Sequence, residues 1–307
     1  MGPKHLVGPE PLSGHPTRRL VAWRLLSGSG ALLALTACGA KGSGGAGTAS
    51  PGGGGGEGEG EGEGEGEGEG EGETGDIGGW ATGGTAAMAA SYPDPFTDIT
   101  ETACALTCEM TLGPCYALTP ERQDISEGYD GLPTRLALRV LDARCAPVVG
   151  AKVEVWHTSR AGLYSGDDAE PMCTGGDADA VAHRFFRGGQ TTDSRGRVDF
   201  NTCFPGWYGS RTIHVHFTVT VGGVAYGTSQ LFFDQALNDE ICRTHPAYAD
   251  RGPPATTNDE DGVLDGVDVA PYLLSTSRAS DGVLIAWKDI VVRSGADEEP
   301  CRVGGPF

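Results

Sequence analysis

Two phenols and two imidazoles stand close together in this 307-residue sequence: Tyr164 in the segment GLYS, Tyr208 in PGWY, and His214 and His216 in RTIHVHF. The set is chemically selective. Zinc and copper sites favour thiolates, imidazoles and carboxylates, while calcium and magnesium take carboxylates and carbonyls. A phenolate is a hard anionic oxygen donor that suits a trivalent cation, and ferric iron is the obvious biological one. If the four side chains converge, the chain carries a redox centre.

The histidine pair dictates what must hold it. Alternate residues of a strand face the same way, so His214 and His216 can reach one ion from a single rigid strand, their Cα atoms about 7 Å apart. Ile213, Val215, Phe217, Val219 and Val221 alternate with His214, His216, Thr218 and Thr220, the period of a strand with one face in a core. An isolated His-x-His more commonly satisfies hydrogen bonds beside a core. Here Tyr208 precedes it closely, just after Pro205-Gly206.

The neighbouring elements read the same way. Gly222-Gly223 predicts a hairpin turn, with Val224 to Phe233 returning. Leu136, Leu138 and Val140, then Val153 and Val155, alternate with more polar residues; Arg197 to Phe200 and Val283 to Val292 read as further strands. Turns fall at Asp142 to Pro147 and Thr192 to Gly196, and no long amphipathic helix is evident. Short strands with Gly- and Pro-rich turns predict an all-β fold, a β-sandwich. Leu136 to Phe200 also has a pattern common in prealbumin-like modules, many of which only bind or space. A non-catalytic surface binding module is therefore the alternative to an enzyme.

Four segments in order, GPCY (113–116), GAKVEVWHTSRAGLYS (150–165), FRGGQTTDSRGRVDFNTCFPGWYGSRTIHVHF (186–217) and GTSQLFF (227–233), resemble the intradiol ring-cleavage dioxygenases. These are non-haem ferric enzymes that split catechols between the two hydroxyls. The resemblance implies a prealbumin-like sandwich with Fe(III) held by Tyr164, Tyr208, His214 and His216. It implies active-site roles for Arg211 and Gln230, and a second one for Tyr208, which in the family leaves the metal and takes a catechol proton. The implied reactants are a small aromatic diol and O2, and the product is a muconate-type diacid. The short N-terminal part looks more like the protocatechuate-type subunit than the catechol type, which adds a helical dimerisation domain. One residue departs from the pattern: Cys115 stands where the family's GP segment usually continues with an aromatic, near the substrate pocket. Singly, Tyr164 reads as a strand-end aromatic, Tyr208 as a corner tyrosine, Arg211 as the partner of a surface carboxylate, and Trp156 and Trp207 as packing. Their joint occurrence in family spacing favours the site.

Around this domain, taken as 95–307, the sequence predicts an address and a tether. Arg18, Arg19 and Arg24 lead into the short apolar run ALLALTA, which ends at Cys38. The run fits a signal peptide, 1–37, better than a membrane span. Leu35-Thr36-Ala37-Cys38 resembles a bacterial lipobox, which implies export and lipid anchoring to the cell envelope through Cys38; Thr17-Arg18-Arg19-Leu20 resembles a twin-arginine signal. Residues 38–94 read as a disordered tether, because the alternating Gly and Glu of 56–73 offer no apolar surface to offset ordering entropy. The net charge is −20, and the acidic excess persists past the tether. That balance argues against nucleic acid or an anionic membrane surface as a partner.

Without Cys38, eight cysteines remain, an even number that in an exported chain reads as disulfides. Cys104-x-x-x-Cys108 has no second half that would make it a zinc site. TNDEDGVLDGVD (257–268) resembles part of a calcium loop, with Asp259, Asp261 and Asp265 as ligands. Thr257 replaces the first ligand and Asp268 the final Glu, so a solvated acidic loop is the plainer reading.

Overall fold

Eight strands, most of them with alternating apolar residues, build two four-stranded sheets among the residues that the computed structural model describes, 79–89, 91–96, 98 and 103–304. The expected export signal and the Gly/Glu run lie outside those residues. The strands are β1 (Pro133–Asp142), β2 (Lys152–Trp156), β3 (Arg187–Thr191), β4 (Arg197–Cys203), β5 (His214–Val221), β6 (Val224–Phe232), β7 (Ser275–Arg278) and β8 (Leu284–Val292). One sheet runs β4-β1-β8-β7 and the other β3-β2-β5-β6. All pairings are antiparallel except β1 with β8.

The predicted alternation sets the inner faces. Leu136, Leu138 and Val140 of β1, Val153 and Val155 of β2, Val198 and Phe200 of β4, and Val215, Phe217 and Val219 of β5 share one buried cluster with Leu284, Ala286, Ile290 and Val292 of β8. Burying this apolar area is the main favourable term for the fold. The histidines of β5 therefore point away from the core. Loops cover that outer face, leaving His214 and His216 only 3% and 2% exposed.

Two strands and a helix were not foreseen. β3 reads RGGQT and β7 reads STSR, short polar or glycine-rich runs without alternation, and β7 is an edge strand. Helix α3 (Gln235–Thr244) follows two four- and five-residue helices, α1 (Pro171–Thr174) and α2 (Ala178–Ala182). The Asp234 side chain caps α3 by accepting from the Ala236 N–H, and Asn238, Ile241 and Cys242 face inward.

The tether boundary expected at residue 94 is corrected. Trp80 packs in the main core and donates its indole N–H to Glu240 at 2.8 Å. Ala81 N–H bonds the Gly282 carbonyl at 2.8 Å, and Arg135 donates to the Pro93 carbonyl at 2.6 Å. The described residues from Gly79 onward thus belong to the folded unit, because one large aromatic anchors an otherwise small and polar stretch.

The cysteines are partly paired. Disulfides join Cys104 to Cys145, Cys108 to Cys301 and Cys115 to Cys173. Cys203 and Cys242 are buried thiols, so the expectation of eight bonded cysteines is corrected to six. Burial pushes these two thiols up to about 12 and about 11, which keeps them protonated.

Candidate metal centre and active site

Strand register assembles the first half of the site. Trp156 of β2 lies opposite His216 of β5, and His216 lies opposite Gln230 of β6, so the three side chains line up across the outer face. The Trp156 indole stacks on the His216 imidazole, with centroids 5.0 Å apart and planes 8° from parallel. His214, one pair further along, lies opposite Phe232.

The phenols arrive on two loops locked backbone to backbone. Tyr164 follows β2, and Tyr208 precedes β5. Gly206 N–H bonds the Ser159 carbonyl at 3.1 Å. A Cβ on Gly206 would sit 2.3 Å from the Arg160 carbonyl oxygen, and one on Gly162 would sit 2.2 Å from that of Trp207. Only glycine permits these approaches, which explains the glycines in GLYS and PGWY.

The four donor atoms converge. Tyr164 Oη lies 3.1 Å and Tyr208 Oη 3.4 Å from His214 Nε2, which is 3.2 Å from His216 Nε2. His214 Nδ1–H donates to the Thr212 carbonyl at 2.6 Å, which leaves Nε2 as the lone-pair nitrogen. Among the described residues no group of three or more His, Cys, Asp and Glu side chains gathers to hold an ion; the imidazole pair has phenol oxygens beside it.

This donor set fits ferric iron. Donors bound at about 2.0–2.2 Å around one ion sit about 3 Å from one another, close to the spacing seen here. Burial, and then the nearby Arg211 charge, hold both imidazoles well below their usual pKa, so their lone pairs are free. Burial, and then Tyr208, push the Tyr164 phenol well above 10, and burial also raises Tyr208. Two phenols that resist ionisation in the bare protein become phenolates only against a strong positive charge, and a trivalent cation supplies it.

Arg211 and Gln230 stand beside this cluster. Arg211 Nη2 donates to Gln230 Oε1, and Gln230 Nε2 donates to the Thr111 carbonyl at 3.1 Å. The GPCY segment closes over the metal-facing side: a Cβ on Gly113 would sit 3.3 Å from His216 Cε1. Cys115, the residue that departs from the pattern, is tied to Cys173 in a small cluster with Trp156 and Tyr164. Beside Trp156 and Tyr164 the chain thus places a disulfide.

Three residues in contact with this cluster escaped the sequence reading. Asp261, expected in a calcium loop or a solvated one, is buried and bonds Arg211 Nε at 2.9 Å through each oxygen. Both readings of that residue are corrected; its neighbours Asp259, Asp265 and Asp268 are exposed. Arg187 is fully buried, donates to the carbonyls of Ser165 at 2.8 Å and Cys115 at 2.7 Å, and lies 5.8 Å above the Tyr164 ring. Its place within FRGG was the available signal. Trp156 was read as packing, and its packing partner turns out to be His216. Trp207 is a packing residue, with its indole on the Gly252 carbonyl at 3.0 Å and Arg251 over its ring.

Comparison with known proteins agrees with this geometry. The family model described as dioxygenase matches residues 114–252. A chlorocatechol 1,2-dioxygenase of Pseudomonas putida is 31% identical over 136 residues, 38% of this chain and 47% of that protein. The enzyme of the same name from Pseudomonas sp. (strain P51) is 29% identical over 137 residues, covering 50% of it. The chain spans about half the length of these curated relatives. The solved structure of an intradiol ring-cleavage dioxygenase from Tetranychus urticae matches with a TM-score of 0.55 at 27% identity, over 62% of this chain and 95% of that one. Residues 114–252 are thus similar to the dioxygenase family model and to these chlorocatechol 1,2-dioxygenases, and the β-sandwich is the fold of the solved intradiol ring-cleavage dioxygenase.

Proposed function

We propose that the protein is a non-haem Fe(III) intradiol dioxygenase that cleaves a small aromatic diol, a catechol or trihydroxybenzene, between its hydroxyls. Both atoms of O2 enter the product, a muconate-type diacid. The observation that carries this reading is the convergence of Tyr164 Oη, Tyr208 Oη, His214 Nε2 and His216 Nε2 within 3.1–3.4 Å along the chain of contacts. The four residues would hold the ion.

Ferric iron, when bound, supplies the Lewis acidity and electron relay through which dioxygen reacts with the ring. The protein's part is positional and protonic. Thr212 fixes the His214 tautomer, and Trp156 fixes the His216 plane. Tyr208, less buried than Tyr164, would be the phenol freer to move, and its oxygen would take a proton from an entering diol. Arg211, held between Asp261 and Gln230, faces the ring position with a fixed charge and stabilises negative charge developing there. The loops over the outer face exclude water, which strengthens each of these interactions.

We further propose export and lipid anchoring at Cys38, on the strength of the sequence signal alone; Cys38→Ala should then move the protein from the membrane fraction to the soluble one. The activity is tested by oxygen uptake across a panel of catechols and trihydroxybenzenes with the product identified by mass. Uptake of one O2 per ring and a visible tyrosinate-to-iron absorption band are expected. A protein that stays colourless and iron-free after reconstitution overturns the reading in favour of a binding module.

A further inference from the structure

We propose that Asp261 is a positioning residue of the active site, acting through Arg211 and the Arg211–Thr212 peptide. The inference rests on the ferric dioxygenase reading and goes beyond it, because Asp261 lies outside the stretch, 114–252, that the family model matches.

Asp261 gathers four N–H···O contacts on one carboxylate. Arg211 Nε donates to Oδ1 and Oδ2, both at 2.9 Å; Thr212 N–H donates to Oδ2 at 2.9 Å and Val263 N–H to Oδ1 at 2.9 Å. The Asp261 side chain is 0% exposed and that of Arg211 is 13% exposed. Such a carboxylate has no water to exchange with, so its direction is fixed by these donors.

What it holds is the site itself. Gripping Arg211 at Nε leaves Nη2 aimed at Gln230, which is anchored in turn on Thr111. Gripping the Thr212 N–H holds the residue whose carbonyl fixes His214 Nδ1 at 2.6 Å. A second latch, Thr212 Oγ1 to Asn258 Oδ1 at 2.7 Å, comes from the same segment. That segment is itself built to stay put: Thr257 and Glu260 form a capping box, and Asn258 Nδ2 bonds the Phe233 carbonyl at 2.9 Å. One buried carboxylate therefore sets both the charge-stabilising guanidinium and the peptide behind a metal-facing imidazole.

The test is a double-mutant cycle on the iron-loaded protein, comparing Asp261→Asn, Arg211→Ala and the pair. We expect Asp261→Asn to lower kcat roughly ten- to hundredfold, with KM changed far less, and to lower it by a clearly smaller factor when Arg211 is already alanine, the remainder passing through the Thr212 N–H. Anaerobic binding of nitrocatechol, read by its charge-transfer band, should weaken in Asp261→Asn, and weaken by a smaller factor on going from Arg211→Ala to the double variant. Asp261→Glu, which keeps the charge but displaces it by a methylene, replaces Asp261→Asn if the latter does not fold or load iron; the same pattern is expected. Equal losses with and without Arg211, or no loss at all, overturn the proposal. A wild-type protein that loads iron and binds nitrocatechol but consumes no oxygen overturns the dioxygenase reading instead, and the binding cycle still decides the role of Asp261. A wild-type protein that binds neither overturns both.

Discussion

Removing single donors from the metal-facing cluster should have unequal effects. Tyr164 and the two histidines are nearly inaccessible to solvent, at 2–3% exposure, so an ion lost there has no water to substitute easily for the missing ligand. Tyr164→Phe, His214→Ala and His216→Ala are each expected to lower iron affinity more than the roughly 10–100-fold typical of losing an outer-shell partner. Tyr208→Phe should keep part of the iron, because that phenol is only partly buried and would be the one freer to move. Metal analysis of the four variants, with the visible band, checks this; equal iron content in all of them contradicts the assignment. Arg211→Ala should behave differently again. It removes no donor, so turnover should fall by roughly 100-fold while iron content stays close to wild type, measured on the same preparations.

At the scale of elements, two loops meet through glycine, and that contact sets where the phenols sit. Gly206→Ala would place a methyl 2.3 Å from the Arg160 carbonyl oxygen, which forces the loops of Tyr164 and Tyr208 apart. The expected result is a roughly tenfold or greater loss of iron affinity with every donor still present, together with a lower melting temperature; unchanged iron binding would show that the loops have slack. The sequence made the histidine strand legible because its alternation is strict, and the glycine hairpin legible because Gly222 and Gly223 both take positive φ. It made β1, β2, β4 and β8 legible for the same reason. β3 and β7 have no apolar period to read, since they lean on neighbours already in place. The four donors and Arg211 were legible through their order in known motifs. Asp261 was not, because its partner lies 50 residues away and its local surroundings, rich in Asp and Gly, suggest water.

The whole molecule carries its site at a cost in acid. His157, His214, His216 and His245 are all buried, and burial lowers the pKa of each, that of His157 to about 4. Above about pH 6.5 both folded and unfolded chains hold these rings neutral. Below it the unfolded chain takes up protons that the folded one refuses, so stability present at neutral pH is lost as the pH falls toward the depressed folded values. The iron-free protein should lose at most about 1.4 kcal/mol per pH unit for each of His157, His214 and His216 over that window, seen as a denaturation midpoint that drops between about pH 6.5 and pH 5; a flat midpoint would contradict it. The Cys108–Cys301 bond has a different kind of consequence. Its ends are 193 residues apart and enclose all eight described strands, so the domain is a covalent ring. A protease that cuts any single loop inside it opens the ring into a line but liberates no fragment. Nicked protein should run as one band without reductant and as two with it, and whatever holds the N-terminal segment would keep hold of both halves.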